Sequence, residues 1–248
     1  MTANLQNSSD KVFWHGYLEF YERFFESRIF QSIAEIGVLR GHSIRWLLER
    51  FPQATVFGAD ILPRQAEWPT DPRFVFSQFD QGNRDKLRDF LCQAEFDLII
   101  EDGSHLPTHQ VICLIEGVRA LRPGGLYVLE DIHTSHPAVY EKSSLYAATM
   151  QQGTALSVLL AIDHYKRLAV EIDQTRADRI AHNSLLAASD VMELASQLKN
   201  ISLYRRTRLP DFCFNCGASD YQFSSYRCSC GVEIFSDSDS MSFVLEKK

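Results

Sequence analysis

Five short apolar runs, separated by helical patterns, constrain this chain more than any other feature. They are residues 32–37 (SIAEIG), 54–60 (ATVFGAD), 73–77 (RFVFS), 96–102 (FDLIIED) and 126–131 (LYVLED). Between them, residues 41–51 place Ile44, Leu47, Leu48 and Phe51 on one helical face, and residues 86–94 and 108–121 also read as helices. Strands that are apolar at nearly every position are buried on both faces, as in a parallel sheet covered by helices on each side. The spacing therefore predicts an α/β fold. Such sheets bind ligands beyond the carboxyl ends of their strands. Those ends read Glu35-Ile36-Gly37, Gly58-Ala59-Asp60, Glu101-Asp102-Gly103 and Glu130-Asp131. A merely structural sheet does not require acids and glycines along one edge, so a binding site is expected there.

The rest of the chain frames this core. Phe13, Trp14, Tyr17, Phe20, Tyr21, Phe24 and Phe25 recur at helical spacing and predict one amphipathic helix before the first strand. Residues 138–199 read as mostly helical without a strand, and residues 201–206 and 242–247 as two further strands. Residues 236–240 (SDSDS) form a polar loop. At 248 residues the chain is long enough for one α/β domain with a full core. Its formal charge of −7 offers no electrostatic attraction to nucleic acid or acidic lipid, so neither is expected as a partner. No apolar run approaches the ~18–20 residues that span a bilayer. The polar start, residues 1–11, does not resemble a signal peptide, and a cytoplasmic protein is expected.

The first strand-to-helix connection contains Gly37-Val38-Leu39-Arg40-Gly41-His42-Ser43. Glycines there let the backbone turn tightly and approach a ligand. Asp60 ends the second strand, where an acid can accept bonds from both ribose hydroxyls. The loop is G-x-x-x-G, not the G-x-G-x-x-G of dinucleotide enzymes. S-adenosylmethionine has no pyrophosphate, and its pocket needs space and polar groups more than a phosphate nest. Glu35, Gly37, Gly41, Ser43, Asp60 and Asp80 suit it, with Asp80 placed to meet the adenine amino group. The bland alternative is an ordinary strand–helix turn.

Asp102-Gly103-Ser104-His105 ends the fourth strand and Glu130-Asp131-Ile132-His133 the fifth. Adjacent strands lie about 4.8 Å apart, so Asp102, Glu130 and Asp131 can converge. Three such acids at a buried edge repel unless a cation joins them. Hard oxygen donors favour Mg²⁺, Mn²⁺ or Ca²⁺, and two adjacent hydroxyls of an acceptor could complete the shell. His105, three residues past Asp102, is the expected general base. Its alternative is a loop histidine bonded to backbone, and that of Glu130 and Asp131 a solvated strand end. His109, His133 and His136 are weaker candidates, with His133 a possible neighbour of the metal ligands.

The motifs Asp10-Lys11…His15-Gly16-Tyr17…Tyr21-Glu22…Phe25, Glu35-Ile36-Gly37, Asp80-Gln81, Asp102-Gly103-Ser104-His105 and Glu130-Asp131-Ile132-His133-Thr134-Ser135 resemble those of bacterial Mg-dependent sugar O-methyltransferases. That group works on macrolide sugars and rhamnosyl groups of antibiotics, and the cephalosporin-methoxylating protein looks related to it. The resemblance covers roughly residues 10–136. It implies the class I methyltransferase fold, a Rossmann-like, mostly parallel seven-stranded sheet. It also implies Mg²⁺ on Asp102, Glu130 and Asp131, His105 as base, and S-adenosylmethionine held by Gly37, Asp60, Asp80 and Asp102, with Tyr17 closing the pocket. Members generally self-associate, so a homo-oligomer is expected. His136 departs from the family's usual tyrosine, and residues 138–199 match no motif of it.

Cys213-x-x-Cys216-Gly217 and Cys228-x-Cys230-Gly231 resemble the two knuckles of a zinc ribbon and are not a general feature of the family. Four thiolates suit a tetrahedral, structural zinc; disulfides or free thiols are the alternative. The expected organisation is a helical segment over 1–30, a methyltransferase domain over 31–210 and 238–248, and a zinc-ribbon-like insertion over 211–237. Three functions compete. One is a metal-dependent O-methyltransferase of a sugar hydroxyl on a glycoside, natural product or polysaccharide precursor. Another acts on a catechol or other vicinal diol, and the third is a non-catalytic zinc-ribbon module on a methyltransferase fold.

Overall fold

A computed structural model describes residues 9–140, 153–236 and 240–248. The expected helical stretch at 141–152 and most of the polar loop at 236–240 lie outside the described residues. The chain opens with a short helix, α1 (Asp10–Phe13), and a longer one, α2 (Tyr17–Phe25). The single helix expected here is therefore two. Gly16 separates them with φ 71°, a left-handed conformation that stops one helix and starts the next. α2 buries Tyr17, Phe20, Tyr21 and Phe25 against the sheet.

Strands and helices then alternate as the apolar runs predict: β1 (Ser32–Ile36), α3 (His42–Arg50), β2 (Thr55–Asp60), β3 (Phe74–Gln78), α4 (Arg84–Leu91), β4 (Phe96–Glu101), α5 (Pro107–Ala120) and β5 (Leu121–Leu129). α4 starts two residues before the expected point because the Asn83 side chain accepts from the backbone N–H of Lys86. β5 starts earlier than expected: Leu121 already pairs with Phe96, and the ladder shifts register across Pro123-Gly124-Gly125 before resuming. Next come a 3₁₀ turn (Ile132–Ser135), α6 (Pro137–Tyr140), α7 (Ala155–Arg167), α8 (Gln174–Ala181), α9 (Ala188–Gln197), β6 (Leu198–Arg205), a small hairpin of β7 (Tyr221–Gln222) and β8 (Arg227–Cys228), and β9 (Met241–Lys247).

Seven strands form one sheet in the order β3-β2-β1-β4-β5-β9-β6. All pair in parallel except β9, which is antiparallel to both β5 and β6. Each face carries its own core. One gathers side chains from α4, α5 and α7 to α9, Phe96, Leu114 and Leu159 among its members. The other packs α2 and α3 through Tyr17, Phe25, Ile44 and Leu47. The cysteine-rich stretch between β6 and β9 has a third, small core of Cys213, Tyr221, Cys228 and Ile234. Trp14 belongs to that core, so the start of the chain and the insertion pack together. At the base of the insertion the N–H of Arg206 bonds the carbonyl of Ser240 at 3.0 Å. No helix among the described residues is long and apolar enough to cross a membrane.

Candidate active site

The strand order reverses between β1 and β4, and ligands of such sheets sit in the crevice at this point. The register aligns Ala59, Ile36, Glu101 and Leu129 in one row across β2, β1, β4 and β5. Backbone bonds extend the ladder by one step: Gly37 to Ala59 at 2.8 Å, Asp102 to Ile36 at 2.8 Å and Glu130 to Glu101 at 2.9 Å. Asp60, Gly37, Asp102 and Glu130 thus leave the sheet edge side by side. Gly37 has φ 98°, and a Cβ there would collide with the carbonyl of Asp102. Only glycine lets the loop lie this close to the neighbouring strand.

A cavity of about 400 Å³ opens over this row, lined in part by Gly37, Asp60, Phe79, Asp80, Asp102 and His105. That is the size of a small-ligand pocket. Asp60 Oδ2 accepts from the N–H groups of Val38 (2.8 Å) and Leu39 (2.9 Å), and Oδ1 from Leu62 at 2.8 Å. Asp60 therefore shapes the glycine loop itself, and Oδ1 keeps capacity for a further donor. Asp80 is exposed on the rim, where Oδ1 accepts from the N–H of Gly82 at 2.9 Å. Tyr17, Glu35, Gly41 and Ser43 do not line this cavity. Tyr17 is buried beneath the acids, donating to Asp131 Oδ1 at 2.7 Å and to the carbonyl of Met241 at 3.1 Å. Glu35 is fully buried and bonded by the Ser43 hydroxyl. Gly41 packs beside Trp68.

Two residues escaped sequence reasoning. Gln81 donates to Glu101 Oε1 at 2.8 Å and accepts from the N–H of Ser104 at 2.7 Å, so it clamps the loop that carries His105. The other is Lys11. Its Nζ lies 3.0 Å from Glu35 Oε1, 2.8 Å from Asp102 Oδ2 and 3.0 Å from Glu130 Oε1. Both stood within the quoted motifs, but nothing in their spacing announced a contact with the acids.

The electrostatics follow from burial and these pairings. Burial disfavours the Lys11 ammonium, yet Asp102, Glu130 and Glu35 outweigh that and hold its pKa well above the ordinary lysine value. Burial raises the carboxyl pKa of Glu35, Asp102 and Glu130 despite the lysine. Glu101, behind them, is pushed up to about 7 by burial. Asp131 is the exception. Burial opposes its charge, but His15, His105, His133 and the Tyr17 hydroxyl outweigh burial and hold it well below the carboxylate range. His105 adopts φ 56° and places Nε2 3.9 Å from Asp102 Oδ1 and 3.6 Å from Asp131 Oδ2. Burial works against its protonation, and Asp131 and Asp102 overcome burial and raise its pKa. Asp102, His105 and Asp131 offer donor atoms within 4.8 Å of one another, a spacing that can hold a metal ion. Glu130 is not in that group; its Oε1 lies 3.0 Å from Lys11 Nζ.

The four cysteines Cys213, Cys216, Cys228 and Cys230 form a second such group. Cys213 and Cys230 sulfurs lie 3.6 Å apart, and Cys216 and Cys228 sulfurs 3.4 Å. Both are too long for a disulfide at about 2.05 Å. A tetrahedron with zinc–sulfur bonds of about 2.3 Å has edges near 3.8 Å, a few tenths of an ångström longer than these two separations. Backbone N–H groups of Asn215 and Cys216 point at the Cys213 sulfur, and those of Ala218, Cys230 and Val232 serve Cys216, Cys228 and Cys230. Such N–H groups stabilise thiolates, so the cluster could form a zinc site.

No family model matches the chain. Among curated proteins it is 33% identical over 142 residues to the 8-demethyl-8-alpha-L-rhamnosyl tetracenomycin-C 2'-O-methyltransferase of Streptomyces olivaceus, covering 53% of this chain and 37% of that protein. It is 31% identical over 134 residues to the mycinamicin VI 2''-O-methyltransferase of Micromonospora griseorubida, covering 50% and 33%. The chain therefore spans well under half the length of these curated relatives. Among solved structures, the MycE methyltransferase from the mycinamycin biosynthetic pathway, in complex with Mg, SAH and mycinamycin VI, superposes with a TM-score of 0.57 at 21% identity, over 95% of this chain and 50% of that one. The protein has the class I methyltransferase fold, and the two curated relatives named above are sugar O-methyltransferases.

Proposed function

We propose that this protein is an S-adenosylmethionine-dependent O-methyltransferase that uses a divalent cation and acts on a sugar hydroxyl. One observation carries the reading: a nucleoside-sized pocket and the group of Asp102, His105 and Asp131, spaced so that it can hold a cation, meet at one row of strand ends. Oxygen donors of this kind suit Mg²⁺, Mn²⁺ or Ca²⁺. A lysine ammonium already lies among Glu35, Asp102 and Glu130, so this edge attracts positive charge. Asp102 and Asp131 would hold the cation, and Glu130 could join them by releasing Lys11. When bound, the cation would fix adjacent acceptor hydroxyls and lower their pKa.

The chain's own residues do the remaining work. The Gly37 turn and Asp60 seat the nucleoside of the methyl donor. His105 stands at the mouth of the pocket, with Nε2 3.9 Å from Asp102 Oδ1 and 3.6 Å from Asp131 Oδ2. It takes the hydroxyl proton as the acceptor oxygen bonds to the methyl carbon and the carbon–sulfur bond breaks. Orientation supplies much of the rate in such a displacement. The relatives' names specify rhamnosyl tetracenomycin and mycinamicin VI, which supports a glycoside acceptor. The charge of −7 argues against nucleic acid or an acidic membrane as partner. Four clustered thiols suit a reducing compartment, in keeping with a cytoplasmic enzyme.

A second assignment has its own observation: the donor spacing admits His105 as a third ligand instead of the base. Calorimetric titration of S-adenosylhomocysteine, followed by methyl transfer from S-adenosylmethionine to rhamnosides and to catechol with and without Mg²⁺, tests the proposal. Binding with Mg²⁺-dependent transfer to rhamnosides supports it. Transfer to catechol alone moves the acceptor to non-sugar diols. No binding of S-adenosylhomocysteine sinks the methyltransferase reading and leaves a zinc module.

A further inference from the structure

A second cleft, about 580 Å³, adjoins the cofactor pocket and shares Asp10, His15, His105 and Asp131 with it. One wall belongs to the cysteine-rich insertion, through Phe214, Val232 and Glu233, and Trp14 lines the cleft as well. Phe214 stands inside the first knuckle, between Cys213 and Cys216, and is 57% exposed. Its ring meets Trp14 edge-to-face at 4.7 Å and 80°.

The insertion is tied to the helix that supplies Lys11. Arg206, buried, donates to the carbonyl of Trp14 at 2.7 Å and to that of Ile234 at 2.8 Å. Its guanidinium also lies 4.7 Å from the centre of the Trp14 ring. The N–H of Asp211 bonds the carbonyl of Phe13 at 2.8 Å. Three residues before Trp14, Lys11 reaches the acids at the strand ends. Among its described residues, the insertion has only two-residue strands and a handful of buried side chains. Units this small need a metal or a cross-link to hold a fixed shape.

We propose that the four cysteines bind zinc and that the zinc-held knuckle forms the acceptor wall of the active site, seating a pyranosyl ring against Phe214. This rests on the methyltransferase reading and adds to it the element that recognises the acceptor. A pyranoside has a face of C–H groups that packs on an aromatic ring and an edge of hydroxyls. Phe214 offers the ring. Glu233, on the same wall, offers a carboxylate to hydroxyls, and the cleft leads the neighbouring hydroxyls to His105 and Asp131. Zinc in this scheme has no chemical role; it fixes where Phe214 and Trp14 stand.

The test has two arms on the full-length protein. In the first, zinc content is measured and hydrogen exchange compared before and after mercurial-assisted zinc removal. About one zinc per chain is expected, with faster exchange on removal in 211–236 and also at Trp14 and His15, while β1 and β4 keep their protection. No zinc, or exchange confined to 211–236, overturns the coupling. In the second arm, saturation-transfer NMR reads the affinity of methyl α-L-rhamnopyranoside for wild type and Phe214→Ala, beside calorimetry with S-adenosylhomocysteine. Phe214→Ala should bind the rhamnoside about tenfold more weakly, the loss of one aromatic contact, with S-adenosylhomocysteine affinity unchanged. Equal rhamnoside affinity in the two proteins, or none in either, overturns the acceptor wall. Failure of wild type to bind S-adenosylhomocysteine strikes the methyltransferase reading instead and leaves the zinc arm to be judged alone.

Discussion

Replacing Lys11 with methionine removes the charge but keeps the length of the side chain, so it isolates what the ammonium does. Lys11 is the cation shared by Glu35, Asp102 and Glu130, and the Glu35 and Glu130 side chains are 0% and 1% exposed. Breaking a buried pair by deleting one partner costs about 3–5 kcal/mol, because the other charge is left without compensation. A chain of this size loses about 2–4 °C in Tm per kcal/mol, so Lys11→Met should melt roughly 6–20 °C below wild type at pH 8. The sign of the pH dependence follows from the shifts. Glu35, Asp102 and Glu130 have raised pKa values in the fold, so their contribution favours folding most at low pH and is lost as pH rises through those values. Lys11 has a raised pKa, so its contribution is fully present below the ordinary lysine pKa of about 10.4 and is lost only above it. The deficit of the variant should therefore be greatest near pH 8 and shrink toward pH 5. Millimolar Mg²⁺ should restore more of the variant's Tm than it adds to wild type. Melting curves at both pH values, with and without Mg²⁺, read all of this. A Tm within about 2 °C of wild type at pH 8 would falsify the view that the acids depend on this ammonium.

Three further outcomes are expected. Asp60→Ala should weaken S-adenosylhomocysteine binding at least about tenfold, because the charged acceptor that holds Val38, Leu39 and Leu62 is gone; unchanged calorimetric affinity would remove Asp60 from the cofactor site. His105→Ala should lower kcat by about 10²–10⁴ with Mg²⁺ affinity retained if it is the base, whereas a matching fall in Mg²⁺ affinity would make it a ligand. Gly37→Ala should lower Tm and abolish S-adenosylhomocysteine binding together, since both the left-handed φ and the carbonyl of Asp102 exclude a Cβ; a soluble variant with wild-type binding would refute that.

The sheet was legible because β1 and β4 are buried at every position and the strands beside them still announce themselves as apolar runs. The row of Asp60, Gly37, Asp102 and Glu130 was legible for the same reason, as strand ends share a level once the strands are placed. The break at Gly16 was harder, because the aromatic spacing continues across it and favours one helix. Lys11 and Gln81 were out of reach: each makes its contacts across the fold, to residues 20 to 119 positions away, and no periodicity records such a meeting. The preference of Glu130 for Lys11 over its neighbours Asp102 and Asp131 is likewise a matter of side-chain direction, which strand ends alone do not set.

The hydrogen bond from Arg206 to Ser240 has an evolutionary consequence. It brings the two ends of the cysteine-rich stretch together, so that stretch is topologically a loop on a finished sheet. The entropy of closing a loop grows only slowly with its length, by about 0.6 kcal/mol per doubling. Segments of very different size can occupy this position at nearly the same cost to the fold. Selection can then exchange one segment for another, and with it the shape presented to an acceptor, while the strand ends that carry the chemistry stay as they are.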